Sequence, residues 1–144
     1  MRRQALALLA RREHSRAELK AKLERRGGTA EDVEGLLDTL ISDGQLSDSR
    51  YAETYARQRA EKGYGPVRIA NELRKRGIEA LPAQIAIDAV EGRWLDRARQ
   101  VRVKRFGSAE ARSMEERARQ MRFLEYRGFA GDDVRRAVRA PDDE

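Results

Sequence analysis

The chain has 144 residues, of which 39% are charged and 6% aromatic, and its net charge is +6. That is well above the about 25% charged residues of an average soluble domain, so thin helices with much of their surface in water are expected, with an anionic partner for the excess of cations. Without cysteine and with one histidine, His14, the chain offers no disulfide framework, thiolate site or imidazole cluster, and neither a metal nor a cofactor is expected.

The elements follow in chain order. Met1-Arg-Arg-Gln leads into a charged helix near 3–13, not a signal peptide, and no apolar run reaches the about 20 residues of a membrane span, so a cytoplasmic protein is expected. His14 reads as an exposed turn residue. Ser15-Arg-Ala-Glu18 fits a capping box opening a helix over 16–26, and Thr29 opens the next, with Val33, Leu36, Leu37 and Leu40 at helical spacing. After an Asp43–Ser47 linker, Asp48 is expected to cap a helix over 49–62 with the stripe Ala52, Tyr55, Ala56. Gly63-Tyr64-Gly65-Pro66 then makes a tight corner, with Tyr64 plugging the angle and Pro66 first in a helix over 66–76. Pro82 is taken as the first position of the following helix, which carries Ile85, Ala86 and Ala89.

The last third opens with a helix over 93–105, where Trp94, the only tryptophan, is expected to anchor a core. Phe106 to Arg112 lengthens the connection, Ser113-Met-Glu-Glu116 is a second capping box for 114–127, and Gly131-Asp-Asp133 starts a helix with Val134, Ala137 and Val138. Pro141–Glu144 reads as a frayed acidic end.

Three helical runs end alike, at Leu23-Glu-Arg-Arg26-Gly27, Leu73-Arg-Lys-Arg76-Gly77 and Leu124-Glu-Tyr-Arg127-Gly128, with 50 and 51 residues between successive glycines. Such a period marks a repeat array, and the glycines suit left-handed helix caps. The expected fold is all-α: three tandem three-helix, helix-turn-helix-like repeats in an elongated array, bounded as 1–46, 47–92 and 93–144.

A phosphate-cradling loop at Gly63–Pro66 competes with the corner reading, but the turn lacks the G-x-x-x-x-G-K-[ST] spacing and Pro66 removes a donor. The run from Asp48 to Ile78 resembles the central repeat of the RecX family, bacterial regulators of the RecA recombinase. Asp48, Arg50, Tyr51 and Ala52 match its Asp-x-Arg-aromatic-Ala start. Gly63, Tyr64, Gly65, Pro66, Ile69, Leu73, Gly77 and Ile78 match its Gly-Tyr-Gly-Pro-x-x-Ile and Leu-x-x-x-Gly-Ile segments. Ser15-Arg-Ala-Glu-Leu19 with Leu23 and Gly27 is similar to the family's first repeat; the third is the loosest match. The resemblance implies three tandem three-helix repeats and binding in the groove of RecA filaments on DNA. It also implies suppression of strand exchange, ATP hydrolysis and repressor-cleavage coactivation, and so a place in DNA repair, homologous recombination and the SOS response. Most motif residues, among them Tyr51, Gly63, Gly65, Pro66, Leu73 and Gly77, are read as packing or backbone residues.

The contact candidates are cationic. Residues 93–105 hold 6 basic side chains against the single acid Asp96, and Arg93, Arg97 and Lys104 share one face of that helix. Arg102 and Arg105 fall within its apolar arc, which predicts early fraying or snorkelling stems. In the middle unit the patch is Arg68, Arg74, Lys75 and Arg76, with Arg76 expected to pair with Glu72 and Arg57 with Glu53 at i,i+4. No nucleophile–base pair stands out, so an enzyme is not expected. The rivals are a direct DNA binder that places one helix in the major groove, and a scaffold docking only proteins. A monomer is expected, because the terminal units carry polar outer faces.

Overall fold

The computed structural model describes residues 1–139, so the Pro141–Glu144 end lies outside the described residues. Among these, nine α-helices and no strand form: α1 Arg2–Arg11, α2 Arg16–Arg25, α3 Ala30–Ser42, α4 Asp48–Glu61, α5 Pro66–Lys75, α6 Ala80–Asp88, α7 Trp94–Phe106, α8 Met114–Arg127 and α9 Gly131–Val138. The expectation of an all-α array of tandem three-helix units holds. Each trio has its own core, centred on Leu19, Leu23, Val33 and Leu37 in the first, Ile69, Leu73, Ala86 and Ile87 in the second, and Leu95, Leu124, Val134 and Ala137 in the third. Trp94 is only half-buried and packs against both the second and the third core, so it bridges two units and is not the anchor of one.

The recurrent Leu-x-x-x-Gly ending has one geometry in all three units. The glycine takes φ of +98°, +84° and +94° at Gly27, Gly77 and Gly128. Its amide bonds the carbonyl three residues back, and the next amide reaches the motif leucine: Gly28 N–H to Leu23 O at 3.1 Å, Ile78 N–H to Leu73 O at 3.0 Å, Phe129 N–H to Leu124 O at 3.2 Å. This is the Schellman cap, which satisfies the orphan carbonyls of the last turn.

The caps do more than end helices. The N-terminus of α5 meets the C-terminus of α8, where the Gly65 amide donates to Arg127 O at 2.8 Å and the Val67 amide to Gly128 O at 2.9 Å. Pro66 stands between them with no amide to leave unpaired. A Cβ on Gly65 would lie 2.5 Å from the Gly128 backbone. Gly65 itself has φ −95°, which any residue adopts, so it is glycine for space and not for conformation. The α2–α5 joint repeats the arrangement: Ser15 Oγ donates to Arg76 O at 3.0 Å, and a Cβ on Gly77 would fall 2.5 Å from that of Ala17. Helices α8, α5 and α2 thus stand end to end, the carbonyl end of each on the amide end of the next, a favourable alignment of helix dipoles.

Three local expectations are corrected. Ser47, not Asp48, caps α4 by accepting from the Arg50 amide; Asp48, already helical, instead accepts from the Arg16 amide at 2.7 Å and caps α2 across the unit boundary. Helix α6 starts at Ala80, so Pro82 is its third residue, still in the first turn, where no intrahelical amide bond is lost. His14 is buried, with Nδ1 3.1 Å from Arg12 O and Nε2 2.9 Å from Lys22 Nζ. An ammonium only donates, so Nε2 accepts and Nδ1–H donates; burial, with the Arg12 and Lys22 charges, holds this imidazole below its ordinary pKa. Of the two outcomes expected for α7, early fraying is ruled out, since it runs to Phe106, and the half-buried Arg102 in its apolar arc fits the snorkelling one, its Nη1 reaching Ala109 O at 3.4 Å and its Nε without a partner among the described residues.

The third core holds a polar residue where the others hold aliphatic ones. Eight residues before the capping glycine stand Leu19, Ile69 and Gln120, all buried, and among the described residues Gln120 Oε1 has no hydrogen-bond partner. Gln120→Leu is therefore expected to raise stability by about 1–3 kcal/mol, the cost of an unsatisfied buried polar group, measurable by urea unfolding. Gly65→Ala is expected to cost about 1–3 kcal/mol through overpacking of the α5–α8 joint. Gly35→Ala, inside α3 with open space around its Cβ position, is expected to gain about 0.5–1 kcal/mol. Equal melting temperatures for the two alanine variants would contradict the close approach.

Candidate functional site

The helix column places the middle-unit cations. Where α4 meets α5, Glu72 accepts from Arg59 Nε at 3.0 Å and Nη2 at 2.9 Å, and from Tyr55 Oη at 3.1 Å. Burial alone would raise this carboxyl's pKa, but the Arg59, Tyr55 and Arg68 hydrogen bonds and the Arg59 charge outweigh it, and the net shift is down. Tyr64 fills the corner as expected, and three guanidiniums gather on its ring: Arg59 at 3.8 Å, Arg68 at 4.5 Å and Arg127 at 4.9 Å. The last of these comes from the third unit, so Tyr64 is also part of the α5–α8 joint.

The structure separates the candidate cations into two kinds. Arg68 is held by Glu72, by the Tyr126 carbonyl and by the Tyr64 and Tyr126 rings. Arg76 does not pair with Glu72, which Arg59 occupies; it donates to Tyr51 Oη at 2.9 Å and lies over the Tyr55 ring. Arg97 donates to Glu91 O at 2.8 Å and lies 5.9 Å over Trp94. These three are largely spent on the fold. Arg74, Lys75, Arg93 and Lys104 are exposed, and among the described residues nothing engages their side chains. Arg57 and Glu53 likewise form no ion pair among the described residues.

Of the family-motif residues, Tyr51, Ile69 and Leu73 lie in the second core and Gly63 carries φ +91° at the α4 cap. Arg50 straps two units by donating to Glu13 and to Gly44 O, each at 2.9 Å. All act in the scaffold.

Three cations were missed as contact candidates: Lys62, Arg105 and Arg127. With Arg97 and Lys104 they line a cavity of about 450 Å³ between the end of α4 and helices α7 and α8. The cation-rich 93–105 run signalled Arg105; Arg127 was hidden as a cap residue, and Lys62 lies on another helix altogether. In the first unit carboxylates engage part of the positive charge, Arg12 with Glu18 at 2.6 Å, Lys20 with Glu34 at 2.8 Å, and Arg16 with Glu34, while Arg3, Arg11, Arg25 and Arg26 are exposed with no ion pair among the described residues. The third helices bear on the major-groove rival. Neither α3 nor α6 contains a lysine or arginine, and the exposed side of α6 shows Leu81, Gln84, Ile85 and Asp88; α9 differs in carrying Arg135, which pairs with Asp132, and Arg136. Among the described residues no group of three or more His, Asp or Glu side chains could hold a metal ion, and no helix is long and apolar enough to cross a membrane.

Comparison with known proteins gives a consistent result. Residues 2–40, 47–86 and 91–138 match the family descriptions "RecX, first three-helix domain", "RecX, second three-helix domain" and "RecX, third three-helix domain". The chain is 46% identical to "Regulatory protein RecX" of Halorhodospira halophila over 97% of its own length and 87% of that protein's. It is 42% identical to the protein of that name in Pseudomonas syringae pv. tomato over 96% and 89%. The crystal structure of RecX from Lactobacillus salivarius shares the fold with a TM-score of 0.83 at 21% identity, covering 95% of this chain and 91% of that one.

Because the shift of Glu72 is downward, its ionic bonds stabilise the fold fully above the unfolded value near 4.5, and that contribution fades as pH falls through the lower folded value. Glu72→Gln is expected to lower the melting temperature at pH 7, with the gap to wild type closing below about pH 4.5. A gap that persists unchanged at low pH would show that the charge is not what matters.

Proposed function

The chain belongs to the RecX family, and from that premise we propose that it is a non-enzymatic, cytoplasmic negative regulator of RecA. It binds RecA filaments on DNA in their helical groove and restrains strand exchange, ATP hydrolysis and repressor-cleavage coactivation. The observation that carries the reading is the distribution of unengaged cations, Arg74, Lys75, Arg93 and Lys104, over two units joined by backbone hydrogen bonds. Several weak contacts on one rigid body gain by linkage when the target is a polymer that repeats them. In this reading the units 1–46, 47–92 and 93–144 work as one monomeric body whose cations share the DNA phosphates with the filament.

Direct DNA binding through a recognition helix is the second reading. The absence of any basic side chain from α3 and α6 weighs against it in the first two units, since a helix entering the major groove needs donors for phosphates and base edges, and leaves α9, with Arg135 and Arg136, as the third helix such a reading would have to use.

Binding to bare DNA, to RecA alone and to a RecA–DNA filament across a salt series separates the two. Tightest binding to the filament is expected; tightest binding to bare DNA with a steep salt slope would favour the second reading. Because Arg97 serves the fold, the variant to make is Arg74→Glu with Lys75→Glu and Arg93→Glu. It is expected to weaken inhibition about tenfold, equivalent to about 1.4 kcal/mol, with helicity unchanged. Full inhibition by this variant would remove these cations from the interface.

A further inference from the structure

The cavity between α4, α7 and α8 carries more than its share of positive charge. Lys62, Arg97, Lys104, Arg105 and Arg127 stand around it, and among the described residues Glu61 is the one carboxylate in its wall and none of the five cations is in an ion pair. Arg97 and Arg127 donate only to the backbone carbonyls of Glu91 and Lys62, Arg105 rests over the Phe123 ring, and no hydrogen bond or ion pair engages the side chains of Lys62 and Lys104 among the described residues. Its apolar lining is Ala60, Val101 and Phe123, of which Ala60 is almost wholly buried. At about 450 Å³ the cavity is of ligand-binding size, and apolar surface set among charged groups is how protein interfaces are built.

We propose that this cavity is a docking site for a protein segment in which one aliphatic side chain is flanked by carboxylates. Charge complementarity selects an anion. The apolar lining then selects among anions. A nucleic acid backbone has phosphates for the rim but no aliphatic group for Val101, and unpaired bases bind by stacking on aromatic faces. Phe123 is poorly suited to that, since Arg105 at 5.3 Å and Arg127 at 5.1 Å already lie over its ring and Phe106 meets it edge-on at 5.5 Å. An aliphatic side chain on Val101, with acidic neighbours reaching Lys62 just past α4 and Lys104 on α7, uses both the apolar and the cationic lining. The cavity lies between two units, so such a segment also reads the α5–α8 joint through Arg127.

This inference deepens the proposed function and rests on its protein-directed half, since it assigns the cavity to protein and not to DNA. The test uses the full chain and three fluorescein-labelled probes: the peptide Asp-Glu-Asp-Leu-Glu-Asp-Glu, the same peptide with glycine for leucine, and a short oligothymidylate. By fluorescence anisotropy the leucine peptide is expected to bind about tenfold more tightly than the glycine one, as a buried aliphatic side chain predicts. Lys104→Glu with Arg105→Glu, and separately Lys62→Glu just past α4, are each expected to weaken the leucine peptide about tenfold, with circular dichroism and melting confirming that both variants fold. Equal binding of the two peptides, no binding of either, or preferential oligothymidylate binding lost in the same variants would each overturn the proposal. Filament binding is measured in parallel. Peptide binding by a chain that ignores filaments would sink the filament reading alone, and filament binding without peptide binding would sink this site alone.

Discussion

Two backbone hydrogen bonds, from the Gly65 and Val67 amides to the carbonyls of Arg127 and Gly128, hold the second and third units in one geometry. They form only if the chains approach within bond distance, and that is possible because neither Gly65 nor Gly128 has a Cβ. Pro66 completes the joint by presenting no amide in a place where one would go unpaired. The Gly-Tyr-Gly-Pro corner is thus a mechanical part. It turns the chain out of α4, offers two amides to a distant helix end, and sets Tyr64 where guanidiniums from both units converge.

That joint also decides which cations are left for other work. Arg59, Arg68 and Arg127 are drawn to Tyr64, and Arg59 takes Glu72, so Arg76 turns to Tyr51. In the first unit carboxylates on neighbouring helices take up Arg12, Arg16 and Lys20, while Arg93 and Lys104, at the start and near the end of α7, are exposed with no ion pair among the described residues. Exposed ion pairs contribute little to stability, so the first-unit pairs are no large part of what holds the fold.

What could be read from the sequence was local, and what could not was tertiary. The Ser15 and Ser113 caps, the Schellman glycines and the apolar stripes lie within one turn or one helix, and the chain folds accordingly, except that the Glu18 carboxylate turns to Arg12 and that of Glu116 to the Arg112 amide, so only the serine half of each capping box forms. Asp48 looked like a cap and is one, but for a helix 32 residues away in sequence. His14 looked exposed because nothing nearby in sequence covers it; Lys22, one helix later, does. In the sequence Arg68, Arg74 and Arg76 are alike as cations, and the rings and carbonyls of other helices tell them apart. The cavity draws its walls from three helices and two units, so no single segment of sequence could announce it.

The end-to-end column runs against the order of the chain: α8 leads into α5, and α5 into α2. A ribosome delivers the amino-terminal unit first. The open amides at the head of α5 therefore emerge well before the carbonyls that will cover them, and Ser15 waits for Arg76 across 61 residues. Each unit remains hydrated at one end until its successor is made, so the third unit acts as the latch on the two before it. A nascent chain stalled short of Gly128 would own a complete second core and an unlatched one.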